Sequence, residues 1–196
     1  MKKLKVNKCE LPIEVLKNGT EVDLSGQRLI VEDVIIIAAC INVSTSMKKL
    51  NVLRNSIDAE GAQALVDAAP EQLQTLCGFE EGQTEANLSS KDLGPGDAVL
   101  LAWELTTGFV STSINKLNVL SNSIGEEGYE ILTKVAEEKG ILTLVGFEEG
   151  QTEANLSRKR LGPIDANLIA RDLTTGFVSA SLTNLNLGRS TVDLIC

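Results

Sequence analysis

Chemistry in this chain has to be done without imidazole. Its 196 residues include no histidine, which removes the usual general base, the partner of a catalytic nucleophile and the commonest zinc ligand. Four cysteines stand at positions 9, 40, 77 and 196. No C-x-x-C pair joins them into a zinc or redox motif, so reduced thiols packed as small hydrophobes are expected. The acidic pairs Glu80-Glu81 and Glu148-Glu149 offer carboxylates, but no D-x-D-x-D-G loop supplies the remaining oxygen ligands of a divalent cation. They read either as solvated loops or as an edge that meets a basic partner. No metal and no cofactor is expected, and recognition becomes the leading theme.

Composition narrows the partners. Eighteen basic against 27 acidic residues give a net charge of −9, which argues against a phosphate backbone as ligand, since nucleic-acid affinity comes largely from Lys and Arg. The longest apolar run, Val34 to Ile41, is far short of the roughly 20 residues of a membrane span. The N-terminal MKKLKVNKCELPIEVL has no uninterrupted apolar stretch of the secretory kind. A soluble cytoplasmic protein with neither nucleic acid nor membrane as partner is expected. Without a secretory signal, the Asn-Leu-Ser sequons at Asn87 and Asn155 carry no meaning. Aromatics make up only 3% of the chain, so the core must be built of Leu, Ile, Val and Ala in thin, similar layers.

The chain repeats itself. GFEEGQTEANLS at Gly78 returns at Gly146 and LTTGFVS at Leu105 returns at Leu173, both at an offset of 68. LNVLRNSI at Leu50 matches LNVLSNSI at Leu117, and TEVDLSGQRL at Thr20 is a weaker copy of TEANLSSKDL at Thr84. Such self-similarity is the mark of a repeat architecture. Each long period holds two units, each opening on a short alternating triplet: Val22–Leu24, Leu50–Val52, Ala86–Leu88, Leu117–Val119, Ala154–Leu156 and Leu185–Leu187. Spacings of 28 to 37 residues between them suit a strand, a crossover helix and a return to a parallel strand. The helices are expected near EGAQALVDAA from Glu60, GDAVLLAWEL from Gly96, EEGYEILTKVAEE from Glu126 and IDANLIARDL from Ile164, with another around Asp33 to Ile41 that is apolar nearly all round and suits burial. Pro95 and Pro163 mark two helix starts.

LNVLRNSIDAEGAQAL and LNVLSNSIGEEGYEIL resemble leucine-rich repeats of the ribonuclease-inhibitor type, L-x-x-L-x-L-x-x-N-x-I followed by G-x-E-G and a helix. The resemblance covers most of the chain. It implies an α/β leucine-rich-repeat solenoid, a horseshoe segment with a parallel concave β-sheet and convex helices. Asn55 and Asn122 match the family's asparagine, which satisfies backbone groups in the turn leaving the strand. Gln27, Lys91 and Lys159 occupy that position in the other units, where an insertion such as CGFEEGQ precedes the strand.

Alternation assigns faces. The first and third residues of each triplet point to the helices. The opposite, solvent-facing side reads Asp23, Asn51, Asn87, Asn118, Asn155, Asn186 in one row and Glu21, Lys49, Glu85, Lys116, Glu153, Asn184 in the row before it. These rows either satisfy themselves, by charge pairing and amide stacking between strands, or leave a docking surface. Leu53 and Leu120 follow in the same alternation and are expected to be exposed, as an apolar anchor pair or as support for the turn. The candidate partner-binding residues are therefore Lys49, Asn51, Leu53, Glu85, Asn87, Lys116, Asn118, Leu120, Glu153 and Asn155.

Residues 1–19 are expected to form a cap or edge strand and 20–196 an array of about six repeats. GRSTVDLIC after the last triplet leaves no room for a helix, so the final repeat reads as incomplete, an edge available for self-association. The resemblance implies a non-enzymatic scaffold that binds a protein or peptide on its concave sheet. The alternatives are a GTPase-activating regulator of the Ran type, for which Arg54, Arg158 and Arg189 are the candidate arginines, and a sensor or autoinhibitory segment of a larger protein.

Overall fold

The computed structural model describes residues 4–6 and 9–188. An antiparallel hairpin, β1 (Leu4–Val6) and β2 (Cys9–Leu11), leads into a short helix α1 (Ile13–Asn18). Strand and helix then alternate: β3 (Glu21–Asp23), α2 (Val31–Asn42), β4 (Lys49–Asn51), α3 (Ala59–Ala68), β5 (Glu85–Asn87), α4 (Pro95–Thr106), β6 (Lys116–Asn118), α5 (Gly125–Lys139), β7 (Glu153–Asn155), α6 (Pro163–Thr174) and β8 (Asn184–Asn186). The helix α1 is an element that the sequence reading of the first 19 residues lacked. The segment RSTVDLIC beyond Gly188, including Arg189 and the expected unfinished edge, lies outside the described residues, as does the side chain of Cys9.

Each helix forms where the periodic apolar pattern places it, and local chemistry fixes its start. Asp58 caps α3 by accepting from the Gly61 N–H at 2.8 Å. Helices α2, α4 and α6 use an aspartate at the third helical position, where Asp33, Asp97 and Asp165 accept from the preceding N–H of Ile30, Gly94 and Gly162 at 3.1, 2.9 and 2.8 Å. Successive helices stack on one another from α1 to α6. Their inner faces meet the strands in one aliphatic core containing Leu50, Val52, Leu65, Leu100, Leu117 and Leu132. Helix α2 departs from expectation: Val34, Ile37 and Ile41 are buried, but Ile35 keeps 59% of its surface exposed, and Val31 and Val43 are exposed with it. Among the described residues no further layer covers its outer side.

The strands join two by two. β3–β4, β5–β6 and β7–β8 are parallel pairs in the register Glu21↔Lys49, Glu85↔Lys116 and Glu153↔Asn184, rather than neighbours in one continuous six-stranded sheet. The interruption has a physical cause in the inserted segments. Thr75 and Leu76 accept from Leu50 and Val52 at 3.0 and 3.1 Å, and Thr143 and Leu144 accept from Leu117 and Val119 at 3.0 Å each. The second edges of β4 and β6 are thus occupied before β5 and β7 can pair there.

Turns between units are closed by side chains from the next unit. Asn55, buried, accepts from the Leu29 N–H at 3.1 Å and donates to the carbonyls of Leu24 and Val52 at 3.0 and 2.8 Å. Asn122 accepts from Lys91 and Leu93 at 3.0 Å each and donates to Leu88 and Val119 at 2.8 Å each. One asparagine therefore serves two turns, and Gln27 and Lys91 can stay on the surface. These strand–turn–helix units make the described chain a mixed α/β fold of short parallel strand pairs and six helices. Asn55→Ala is expected to cost about 2–3 kcal/mol in urea unfolding because it strands buried N–H and C=O groups. Asn122→Ala, half-buried where water can substitute, is expected to cost less; a loss under ~0.5 kcal/mol at Asn55 would contradict this role.

Candidate recognition groove

The pair β5–β6 is the floor of a groove of about 390 Å³. Glu85, Asn87, Lys116 and Asn118 line it from the strands; Phe79 and Gln83 of the first inserted loop and Gly146 and Glu148 of the second form its walls. The structure thus brings four of the expected site residues together. Lys49 and Asn51 lie on β3–β4 and Glu153 and Asn155 on β7–β8, each beside one inserted loop.

The row of amides is half engaged. Asp23, Asn51, Asn87, Asn118, Asn155 and Asn186 each accept, through the side-chain oxygen, from the N–H two residues on, at 2.8, 3.2, 3.1, 3.2, 3.1 and 2.9 Å. This Asx turn bends the chain off the strand. Among the described residues nothing accepts from the Nδ2 groups of Asn51, Asn87, Asn118, Asn155 or Asn186, so the donors remain for a ligand or water. Gly78 and Gly146 pass these amides closely at φ +72 and +78, and a Cβ on either would lie 2.7 Å from Asn51 Nδ2 or Asn118 Nδ2. Glycine is required there on both counts.

Two expectations are corrected. Leu53 and Leu120 are not exposed anchors: they are 4% and 0% exposed. The Asx turn breaks the alternation immediately after the strand, so the residue that simple alternation places outward is turned into the core. Nor do the strand lysines satisfy the strand glutamates. Lys49 Nζ bonds Glu80 at 2.7 Å, and Lys116 Nζ bonds Glu148, so the acidic loops fold against the strand lysines. The bond to Glu148 raises the Lys116 pKa above the ordinary lysine value, with the charges of Glu148, Glu85 and Glu149 adding to it against some desolvation. Lys49 is raised in the same way, first by its bond to Glu80, with Glu21 and Glu81 nearby. Lys49 also lies 5.7 Å from the centre of the Phe109 ring.

The walls are anchored by buried acids. Glu104 Oε2, from α4, accepts from Thr75 Oγ1, Leu76 N and Cys77 N at 2.9, 3.0 and 3.2 Å. Asp172, from α6, does the same for Thr143, Leu144 and Val145 at 2.6, 2.8 and 3.1 Å. Arg171 pairs with Asp172 at 2.8 Å, whereas Trp103 stands at the matching place beside Glu104. Burial accordingly raises the Glu104 pKa, and burial together with the Glu104 charge raises the Cys77 thiol well above its usual range. These acids were missed in the sequence because each acts 27 to 29 residues from its partners; their signal is an acid in an otherwise apolar helix position at an offset of 68.

Arg54 and Arg158 sit in exposed turns at φ +64. The Arg54 N–H donates to Asp97 Oδ1 at 2.8 Å. Among the described residues no group of three or more Cys, Asp or Glu could hold a metal ion, and no helix is long and apolar enough to cross a membrane.

Asp97 and Asp165 bridge the breaks between strand pairs, their second oxygens accepting from Arg54 and Ser121 at 2.8 and 2.6 Å. Desolvation raises the Asp97 pKa from 3.8 to about 6, against the hydrogen bonds from Gly94 and Arg54. The native state therefore holds this proton more tightly than the unfolded chain. The contribution to stability is present in full below about pH 4 and is lost as pH rises through about 6, by up to about 3 kcal/mol. Urea titrations at both ends of that window should show wild type losing stability relative to Asp97→Asn as pH rises. A difference that does not change with pH would contradict the assignment.

No family model and no curated protein matches the chain. Among solved structures, the tropomodulin C-terminal domain of Caenorhabditis elegans is 19% identical, over 82% of this chain and 90% of that one, at a TM-score of 0.36.

Proposed function

We propose that this chain is a non-enzymatic recognition scaffold of the ribonuclease-inhibitor-like repeat type, its strand pairs lining the concave face of a short solenoid that binds a protein or peptide. One observation carries the reading: the β5–β6 floor lies between two anchored walls and presents the Asn87 and Asn118 Nδ2 donors with no partner among the described residues. Exposed Glu85 and Glu153 and the Asn155 amide continue the polar surface. Leu53 and Leu120 support the turns from inside and take no part in contact.

The test compares affinity capture by wild type, Asn87→Arg on the strand face and Gln63→Arg on the exposed side of α3. Asn87→Arg is expected to reduce capture of the partner at least about tenfold with an unchanged melting temperature, since bulk at the centre of an interface is where binding is most sensitive. Gln63→Arg is expected to bind as wild type. The reverse pattern would move recognition to the helix side and overturn the reading.

A further inference from the structure

We propose that the β5–β6 groove takes an extended peptide segment lying along the strands with an Arg or Lys side chain over the Glu85–Lys116 row. This rests on the strand-face recognition proposed above and names the partner of that site.

Three observations fit this occupant. The walls stand beside the two strands, Phe79 and Gln83 on the β5 side and Gly146 and Glu148 on the β6 side, where the second insert pairs with β6. The floor carries two rows, Glu85↔Lys116 and Asn87↔Asn118, two residues or ~6.6 Å apart, which is the repeat of same-side residues in an extended chain. One row offers amide donors suited to backbone carbonyls. The other carries an excess of negative charge: Glu85, Glu148 and Lys116 line the groove, Lys116 is bonded to Glu148, and the charge of Glu149 also reaches Lys116. Lys49 with Glu80, Glu21 and Glu81 repeats this composition on β3–β4.

The peptide's carbonyls meet Asn87 and Asn118 Nδ2, and a guanidinium or ammonium side chain meets Glu85, with the charge of Glu149 adding attraction. An acidic segment meets the same two charges as repulsion, and a purely apolar one would leave these carboxylates and amides desolvated and unpaired.

The test is fluorescence anisotropy with three labelled peptides of equal length, alternating Arg–Ala, Gln–Ala and Glu–Ala. The Arg–Ala peptide is expected to bind, the Glu–Ala peptide not, and raising salt from about 50 to about 500 mM should weaken binding about tenfold or more. Glu85→Gln/Glu149→Gln should weaken it at least about tenfold. A control of equal charge on the far end of α5, Glu137→Gln/Glu138→Gln, should not, which separates the groove from general attraction to an acidic protein. Absence of binding by the Arg–Ala peptide, or equal loss in the control, overturns the proposal. Equal binding of the Gln–Ala peptide that is lost in Asn87→Arg also overturns it, while leaving strand-face recognition standing.

Discussion

Everything in this structure depends on buried side-chain acceptors that satisfy backbone N–H groups of the neighbouring layer. A three-residue strand closes few hydrogen bonds of its own, and turns and inserts packed between helices and strands cannot leave their polar groups without partners. Asn55 and Asn122 close the turns, Asp97 and Asp165 tie one strand pair to the next, and Glu104 and Asp172 hold the inserted segments. Each is contributed by the unit that follows, so a layer is complete only when its successor has folded. The first aspartate of the series shows the pattern from the other side: Asp33 Oδ1 is buried with no partner among the described residues, and Cys40 stands in α2 where α4 and α6 carry the insert-binding acid.

This dependence makes the groove. Once Glu104 and Asp172 fix Thr75–Cys77 and Thr143–Val145, the following glycines turn the acidic loops onto the strand face, and Lys49 and Lys116 hold them there. A loop fixed at its root by a buried acid and at its tip by an exposed ion pair has one rigid end and one adjustable end. The exposed pairs add little to stability in solvent; their effect is to place carboxylates beside the amide row, where a ligand meets them.

Much of the fold was legible in the sequence, because the repeat multiplies each local signal. The offset of 68 and the helical periodicity from Glu60, Gly96, Glu126 and Ile164 rest on near-neighbour patterns, whereas the role of Asn55, whose partners Leu29 and Leu24 stand 26 and 31 residues away, was legible only through the resemblance of its repeat. What was not legible depends on distance or on a break in period. Leu53 and Leu120 follow the strand's alternation in sequence but sit beyond an Asx turn that ends it. CGFEEGQ reads as a loop, and only Glu104, 27 to 29 residues on, turns Thr75–Cys77 at its start into a layer that divides the sheet. Charge alternation along the strands suggested pairing between neighbours, yet the loops that bring Glu80 and Glu148 close supply a better partner for each lysine.

The measurement that tests this account most directly is amide hydrogen exchange resolved to single residues. If buried carboxylates hold the inserts as true layers, the amides of Leu76, Cys77, Leu144 and Val145 exchange as slowly as those of Val52 and Val119 in the core turns. Exchange of those four amides at the rate of the exposed loop residues Glu81 and Glu149 would contradict it, and with it the anchored walls on which the groove depends.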